Sequence, residues 1–166
     1  MVAARGSGAL ALAKALALLV PAALLAGAYG SQYWGGLVPC EMCYWQRWPH
    51  MAALALAIAA YAFAGMPDRG RSFVWLAALA ILISGGIGVW HAGIEAGYFG
   101  GITTCSSTGG GSSLEEIMAR PMIRCDEIQF SFLGISMAGW NAVISISAAL
   151  VIAWLSLKRP RNPVAA

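Results

Sequence analysis

FVWLAALAILISGGIGVWHAG, residues Phe73–Gly93, contains no charged side chain. A helix needs about 20 apolar residues to cross a hydrocarbon core of roughly 30 Å. This stretch is long enough to cross, and three more of the same kind flank it: about Leu10 to Tyr29, Tyr44 to Ala64 and Met137 to Leu157. The spacing predicts an all-α membrane protein, a bundle of four transmembrane helices forming a single membrane domain over residues 1–166. Composition agrees. The chain is 60% hydrophobic and 10% charged, with mean hydropathy +0.72. Soluble domains carry about 25% charged residues, and so few charges cannot clothe a water-exposed surface. The net charge of +3 comes from scattered basic residues with no stripe or aromatic interleaving, so it does not point to nucleic acid.

The basic residues report orientation instead. Arg5, Lys14, Arg69, Arg71, Lys158, Arg159 and Arg161 fall on one side of the helices, and Arg47, Arg120 and Arg124 on the other. That asymmetry places both termini in the cytoplasm and directs the loops at about 31–43 and 94–135 outward. Lys14, one turn inside the first span, can snorkel to the interface. Ser136 is placed to cap the last helix. In the long second loop, Ser113-Leu114-Glu115-Glu116 reads as a capping box before an apolar face of Leu114, Ile117 and Met118, which predicts a short amphipathic surface helix ended by Pro121. The Ser, Thr and Gly residues from Ser106 to Ser113 form a tether before it. A cleaved leader is an alternative reading of the first span, but the apolar run is longer than such leaders carry.

All four cysteines fall in the outward loops: Cys40 and Cys43 in the first, Cys105 and Cys125 in the second. An oxidising compartment permits disulfides. A zinc site is disfavoured, since Cys105 and Cys125 are twenty residues apart rather than closely paired. Inert staples remain open, but a C-x-x-C closes a very small loop and removes little chain entropy. Redox chemistry suits that spacing better. Cys43 lies where the second helix begins, so unpaired amides and the helix dipole lower its pKa. Arg47 lies one turn further on the same face and either stabilises that thiolate, neutralises an anionic ligand, or snorkels to lipid. Arginine just inside a membrane helix is costly, which favours a functional role.

Leu37-Val38-Pro39-Cys40-Glu41-Met42-Cys43-Tyr44-Trp45-Gln46-Arg47 resembles a motif of the disulfide bond formation protein B family (DsbB), the quinone-linked thiol oxidases of the bacterial inner membrane. Cys125-Asp126-Glu127, leading to Phe132-Leu133-Gly134-Ile135-Ser136-Met137 and Trp140-Asn141, is similar as well. The loop from Cys105 to Cys125 is short and glycine-rich for the family, and Phe130 stands where a tryptophan is common. The resemblance implies a quinone-reducing protein-disulfide oxidoreductase in the bacterial inner membrane. Its cofactor is ubiquinone or menaquinone, and its partner a periplasmic thioredoxin-like (DsbA-like) thiol oxidase. It further implies that the partner attacks Cys105 of a Cys105–Cys125 disulfide, that Cys125 then attacks Cys40, and that Cys43, helped by Arg47, passes electrons to the quinone. His91 lines the quinone, relays a proton, or is an interfacial histidine with an ordinary partner. Two rivals stand beside this reading. A vitamin K epoxide reductase-like enzyme would carry its loop cysteines ahead of the C-x-x-C, the reverse of this order. A disulfide-stabilised scaffold would leave Arg47 dispensable.

Overall fold

In the computed structural model, residues 3–100 and 124–158 are described. They form four helices: α1 (Ala3–Tyr33), α2 (Glu41–Ala62), α3 (Arg71–Glu95) and α4 (Met137–Leu157). Three stretches, Gly8–Tyr33, Arg71–Glu95 and Met137–Leu157, are long and apolar enough to cross a membrane. The second helix is not among them, because Glu41, Gln46, Arg47 and His50 crowd its first half. Cys105, the Ser/Gly tether and the expected amphipathic helix lie outside the described residues.

The packing is that of a protein whose solvent is lipid. Alanines fill the interior (Ala13, Ala17, Ala53, Ala57, Ala60, Ala77), whereas Leu19, Ile58 and Leu150 are 61%, 60% and 62% exposed. Large side chains gain nothing by leaving a hydrocarbon solvent, so small residues take the seams and let the backbones approach. Gly85 and Gly88 of α3 do this against α4: a Cβ on Gly88 would stand 2.9 Å from the Ala138 carbonyl oxygen and 3.0 Å from the Ala142 nitrogen. Gly86, their neighbour on the same helix, faces open space. Replacing Gly88 with leucine should therefore cost ~1–3 kcal/mol by overpacking, measurable as a lower thermal midpoint in detergent, while Gly86→Leu should be nearly silent.

Helix ends depart from expectation in instructive ways. The second helix starts three residues early, at Glu41, because Cys40 is itself in extended backbone and its sulfur accepts from the Cys43 amide at 3.2 Å, acting as the N-cap. At the opposite end of the bundle, Lys14 does not snorkel to lipid. It is buried, and its Nζ donates to the Ala60 carbonyl at 2.6 Å, near the end of α2. Arg71 likewise donates to Ser156 O at 2.6 Å, near the end of α4. Both cations neutralise the negative ends of helix dipoles. Ser136 caps α4 as expected, accepting from the Gly139 amide at 3.1 Å.

One element was not anticipated in the all-α reading. Two-residue strands β1 (Ser131–Phe132) and β2 (Ile135–Ser136) pair antiparallel ahead of α4. Leu133 and Gly134, with φ of 53° and 76°, make the two-residue turn. Positive φ at both central positions is what such hairpins need; leucine adopts it against its steric preference. The Trp140 ring nitrogen donates to the Phe132 carbonyl at 3.0 Å and holds the hairpin onto α4.

Candidate functional site

At the start of α2 the two sulfurs of Cys40 and Cys43 stand 2.8 Å apart. Cys40 is buried and Cys43 only partly so. The hydrogen bond to Cys43, and then burial, push the Cys40 thiol well above the ordinary value. Cys43, ahead of the apolar run of α2, is held below it. The bond from Cys40 is the main cause; a backbone hydrogen bond and the charge of Arg47 add to it, against burial. Cys125 comes from the second loop, yet its sulfur, the Cys40 sulfur and a ring nitrogen of His91 all lie within 4.8 Å of one another. The structure therefore brings together three of the four sequence-predicted cysteines. The fourth, Cys105, lies outside the described residues.

Arg47 lies one turn beyond Cys43, 6% exposed. Its Nη1 donates to Gln32 Oε1 at 2.5 Å and its Nη2 to the Ala28 carbonyl at 3.1 Å, both on α1. Its guanidinium lies over the rings of Tyr29 and Tyr44, at 4.8 and 5.3 Å. Among the described residues no carboxylate forms an ion pair with it, although Glu95 and Glu127 line the same cavity. Cys43 and Arg47 line a cavity of about 250 Å³ whose other walls include Leu24, Leu25, Ala28 and Met137. His91 lines it too; its Nε2 is 3.6 Å from Cys40 Sγ and 3.8 Å from Glu95 Oε1. Glu95 accepts a short hydrogen bond from the Ser136 hydroxyl, which joins the end of α3 to the start of α4.

Behind these residues lies a polar cluster absent from the expected site. Gln46 and His50 on α2, Ser84 on α3, and Asn141 and Ser145 on α4 are linked by hydrogen bonds of 2.8–3.4 Å. A signal for it was present. Asn141 and Ser145 are spaced i, i+4 within an otherwise apolar segment, and Gln46 and His50 share that spacing beside Arg47, which puts each pair on one face.

Buried and partly buried thiols that meet across two loops of a helical membrane protein point to a membrane thiol–disulfide oxidoreductase. The family model for the disulfide bond formation protein DsbB matches residues 11–155. Similar proteins include disulfide bond formation protein B of Paracidovorax citrulli (strain AAC00-1), 32% identical over 163 residues and covering 89% of each chain. That of Azoarcus sp. (strain BH72) is 29% identical over 150 residues, 83% of this chain and 87% of the relative. An uncharacterized protein of Rickettsia prowazekii (strain Madrid E) is 25% identical over 145 residues, 83% of this chain and 82% of the relative. No solved structure matches. The chain belongs to the DsbB family: it is an integral membrane protein-disulfide oxidoreductase of disulfide bond formation.

Proposed function

We propose that this chain reoxidises a periplasmic thioredoxin-like dithiol oxidase and passes the electrons to ubiquinone or menaquinone in the bacterial inner membrane. It crosses the bilayer four times with both termini cytoplasmic. From Tyr44 to its end at Ala62, α2 spans about 29 Å at the usual rise, close to the thickness of the hydrocarbon core, and its polar first half is covered by neighbouring helices rather than exposed to lipid. The observation that carries the functional reading is the row of sulfurs: Cys125 beside Cys40, Cys40 beside Cys43, and Cys43 on a largely apolar cavity with Arg47.

That cavity fits a quinone ring. Its walls are mostly apolar, with polar groups such as Arg47, His91 and Asn141 among them, the usual composition of small-molecule sites. Arg47 and His91 are the residues that would hold the ring, beside Cys43. A bound quinone supplies a two-electron, two-proton acceptor. The protein's own groups do the rest by thiol–disulfide exchange. The partner's thiolate attacks Cys105 of a Cys105–Cys125 disulfide, and Cys125 leaves as a thiolate. Cys125 forms a bond to Cys40, the Cys40–Cys43 bond breaks, and Cys43 leaves with the electron pair. The partner's second thiolate then breaks the mixed disulfide and Cys105 leaves as a thiolate; Cys105 re-forms its bond to Cys125 and displaces Cys40, so that Cys40 and Cys43 are the reduced pair a quinone would oxidise. A depressed pKa makes Cys43 the better leaving group, and Arg47 stabilises its charge. Arg47 also offers a cation wherever negative charge develops at the cavity edge.

Purified protein mixed with reduced partner and quinone should reduce quinone catalytically, followed by its absorbance. Cys125→Ser should trap the partner on Cys105, visible on a non-reducing gel and mapped by mass spectrometry. A partner trapped on Cys40 would reverse the order of steps, and no turnover in the wild type would sink the reading.

A further inference from the structure

The buried polar cluster fixes the protonation pattern of both histidines. Asn141 Nδ2 lies 3.2 Å from the Ser84 carbonyl oxygen, which can only accept, so this end of the amide is its nitrogen. The same nitrogen meets Gln46 at 2.8 Å, so the Gln46 atom facing it is the oxygen. The Gln46 nitrogen is then turned to the Met42 carbonyl at 3.3 Å and to His91 Nδ1 at 2.8 Å. Two carbonyls thus make His91 Nδ1 an acceptor. The proton of the neutral ring must sit on Nε2, the atom 3.6 Å from Cys40 Sγ, which shares that proton with the Cys125 backbone and with Glu95 Oε1 at 3.8 Å. By the same logic Asn141 Oδ1 accepts from His50 Nε2 at 2.9 Å.

We infer that Gln46 and Asn141 are positioning residues that hold His91 as its Nε2–H tautomer, presenting a donor rather than a lone pair to the Cys40 sulfur. The inference rests on reading Cys40 as the sulfur exchanged with the second loop. When the Cys105 thiolate attacks Cys125 of a Cys40–Cys125 disulfide, the Cys105–Cys125 bond forms and Cys40 departs with the electron pair. Burial makes Cys40 a poor thiolate, and the N–H of His91 is the group placed to steady it. The proton stays on nitrogen throughout. A single donor aimed at developing charge is worth on the order of 10²-fold in rate.

The tautomer also decides what this cluster does not do. Cys40, His91 and Cys125 are metal-ligand types brought within 4.8 Å, and two thiolates with an imidazole are a known zinc set. Ligation needs a bare Nε2, normally secured by Nδ1–H donating to a carboxylate or carbonyl. Gln46 enforces the opposite. Gln46→Glu would supply that carboxylate and free Nε2.

The experiment uses the reduced full-length protein in detergent. The chain has two histidines, so two-bond proton–nitrogen spectra are simple, and His91→Phe assigns them. Wild type should show His91 as Nε2–H and, titrated with Co²⁺, little sulfur-to-cobalt charge-transfer absorption. Gln46→Glu should show Nδ1–H and bind Co²⁺ at least ~10-fold more tightly. In a Cys43→Ser, Cys105→Ser background, release of Cys40 from Cys125 by dithiothreitol should slow on the order of 10²-fold in His91→Phe and much less in His91→Gln, which keeps an N–H donor. Wild-type His91 as Nδ1–H, wild-type Co²⁺ binding as tight as that of Gln46→Glu, or an unchanged rate in His91→Phe would each overturn the inference. Full turnover in Cys40→Ala would overturn the functional reading instead, and would leave the spectra to judge the tautomer alone.

Discussion

Replacing Cys43 with alanine is expected to stop quinone reduction, by more than about 10³-fold as for loss of an enzymatic nucleophile, while one equivalent of partner is still oxidised. The reason lies in the order of the sulfurs. On the proposed path, a Cys105–Cys125 disulfide would accept one pair of electrons from the partner without any help from α2. On that path the electrons would then pass through Cys40 to Cys43, the partly exposed member of the pair, which lines the cavity with Arg47. Cys40 cannot stand in for it. Its thiol is buried and pushed up, whereas Cys43 is held down by the hydrogen bond from Cys40 and by Arg47. Stopped-flow mixing with a stoichiometric amount of reduced partner separates the two halves of the reaction. A burst without turnover is the expected trace. Full turnover would remove Cys43 from the electron path, and a missing burst would mean that the second loop had lost its own disulfide.

How much of this was legible beforehand depends on what kind of signal each feature leaves. The helices were legible because a bilayer demands long apolar runs, and α4 has the bounds expected, Met137–Leu157. The N-cap at Ser136 was legible because a hydroxyl before an apolar run has one obvious use. The start of α2 was not, since cysteine is rarely credited as a cap; here its sulfur takes the role that serine usually takes. Lys14 was misjudged for a related reason. Snorkelling assumes that lipid headgroups are the nearest partners, but a carbonyl at the end of a neighbouring helix was nearer. The hairpin at 131–136 escaped because two-residue strands leave no alternation to detect, and Leu133 is a poor advertisement for positive φ. Within the site, Cys40, Cys43 and Arg47 were legible from local spacing alone. Bringing Cys125 and His91 against Cys40 requires the packing of α3 on α2, which no local pattern encodes. The Gln46–Asn141 pair is harder still, because the i, i+4 spacing on each helix shows a polar face but not which residue of another helix it meets.

Arg47→Met is expected to lower kcat/KM for quinone on the order of 10²-fold, the usual effect of removing one donor aimed at developing charge, without changing the single-equivalent oxidation of the partner. Arg47→Lys should fall between the two, since lysine keeps the charge but cannot reproduce the planar fork. The geometry makes the argument specific. Two of the guanidinium nitrogens are already committed to Gln32 and to the Ala28 carbonyl, and the rings of Tyr29 and Tyr44 bracket the group. These contacts orient the cation but do not neutralise it. A purely structural arginine would show a different pattern. Its loss would loosen α1 from α2, lower the thermal midpoint, and reduce every activity in parallel, including the partner burst. The decisive comparison is therefore between the quinone dependence and the melting curve of the same variant. A raised KM with a nearly unchanged midpoint assigns Arg47 to the acceptor. A lowered midpoint with unchanged KM assigns it to the seam between α1 and α2, and would leave the cavity beside Cys43 without the cation that its chemistry requires.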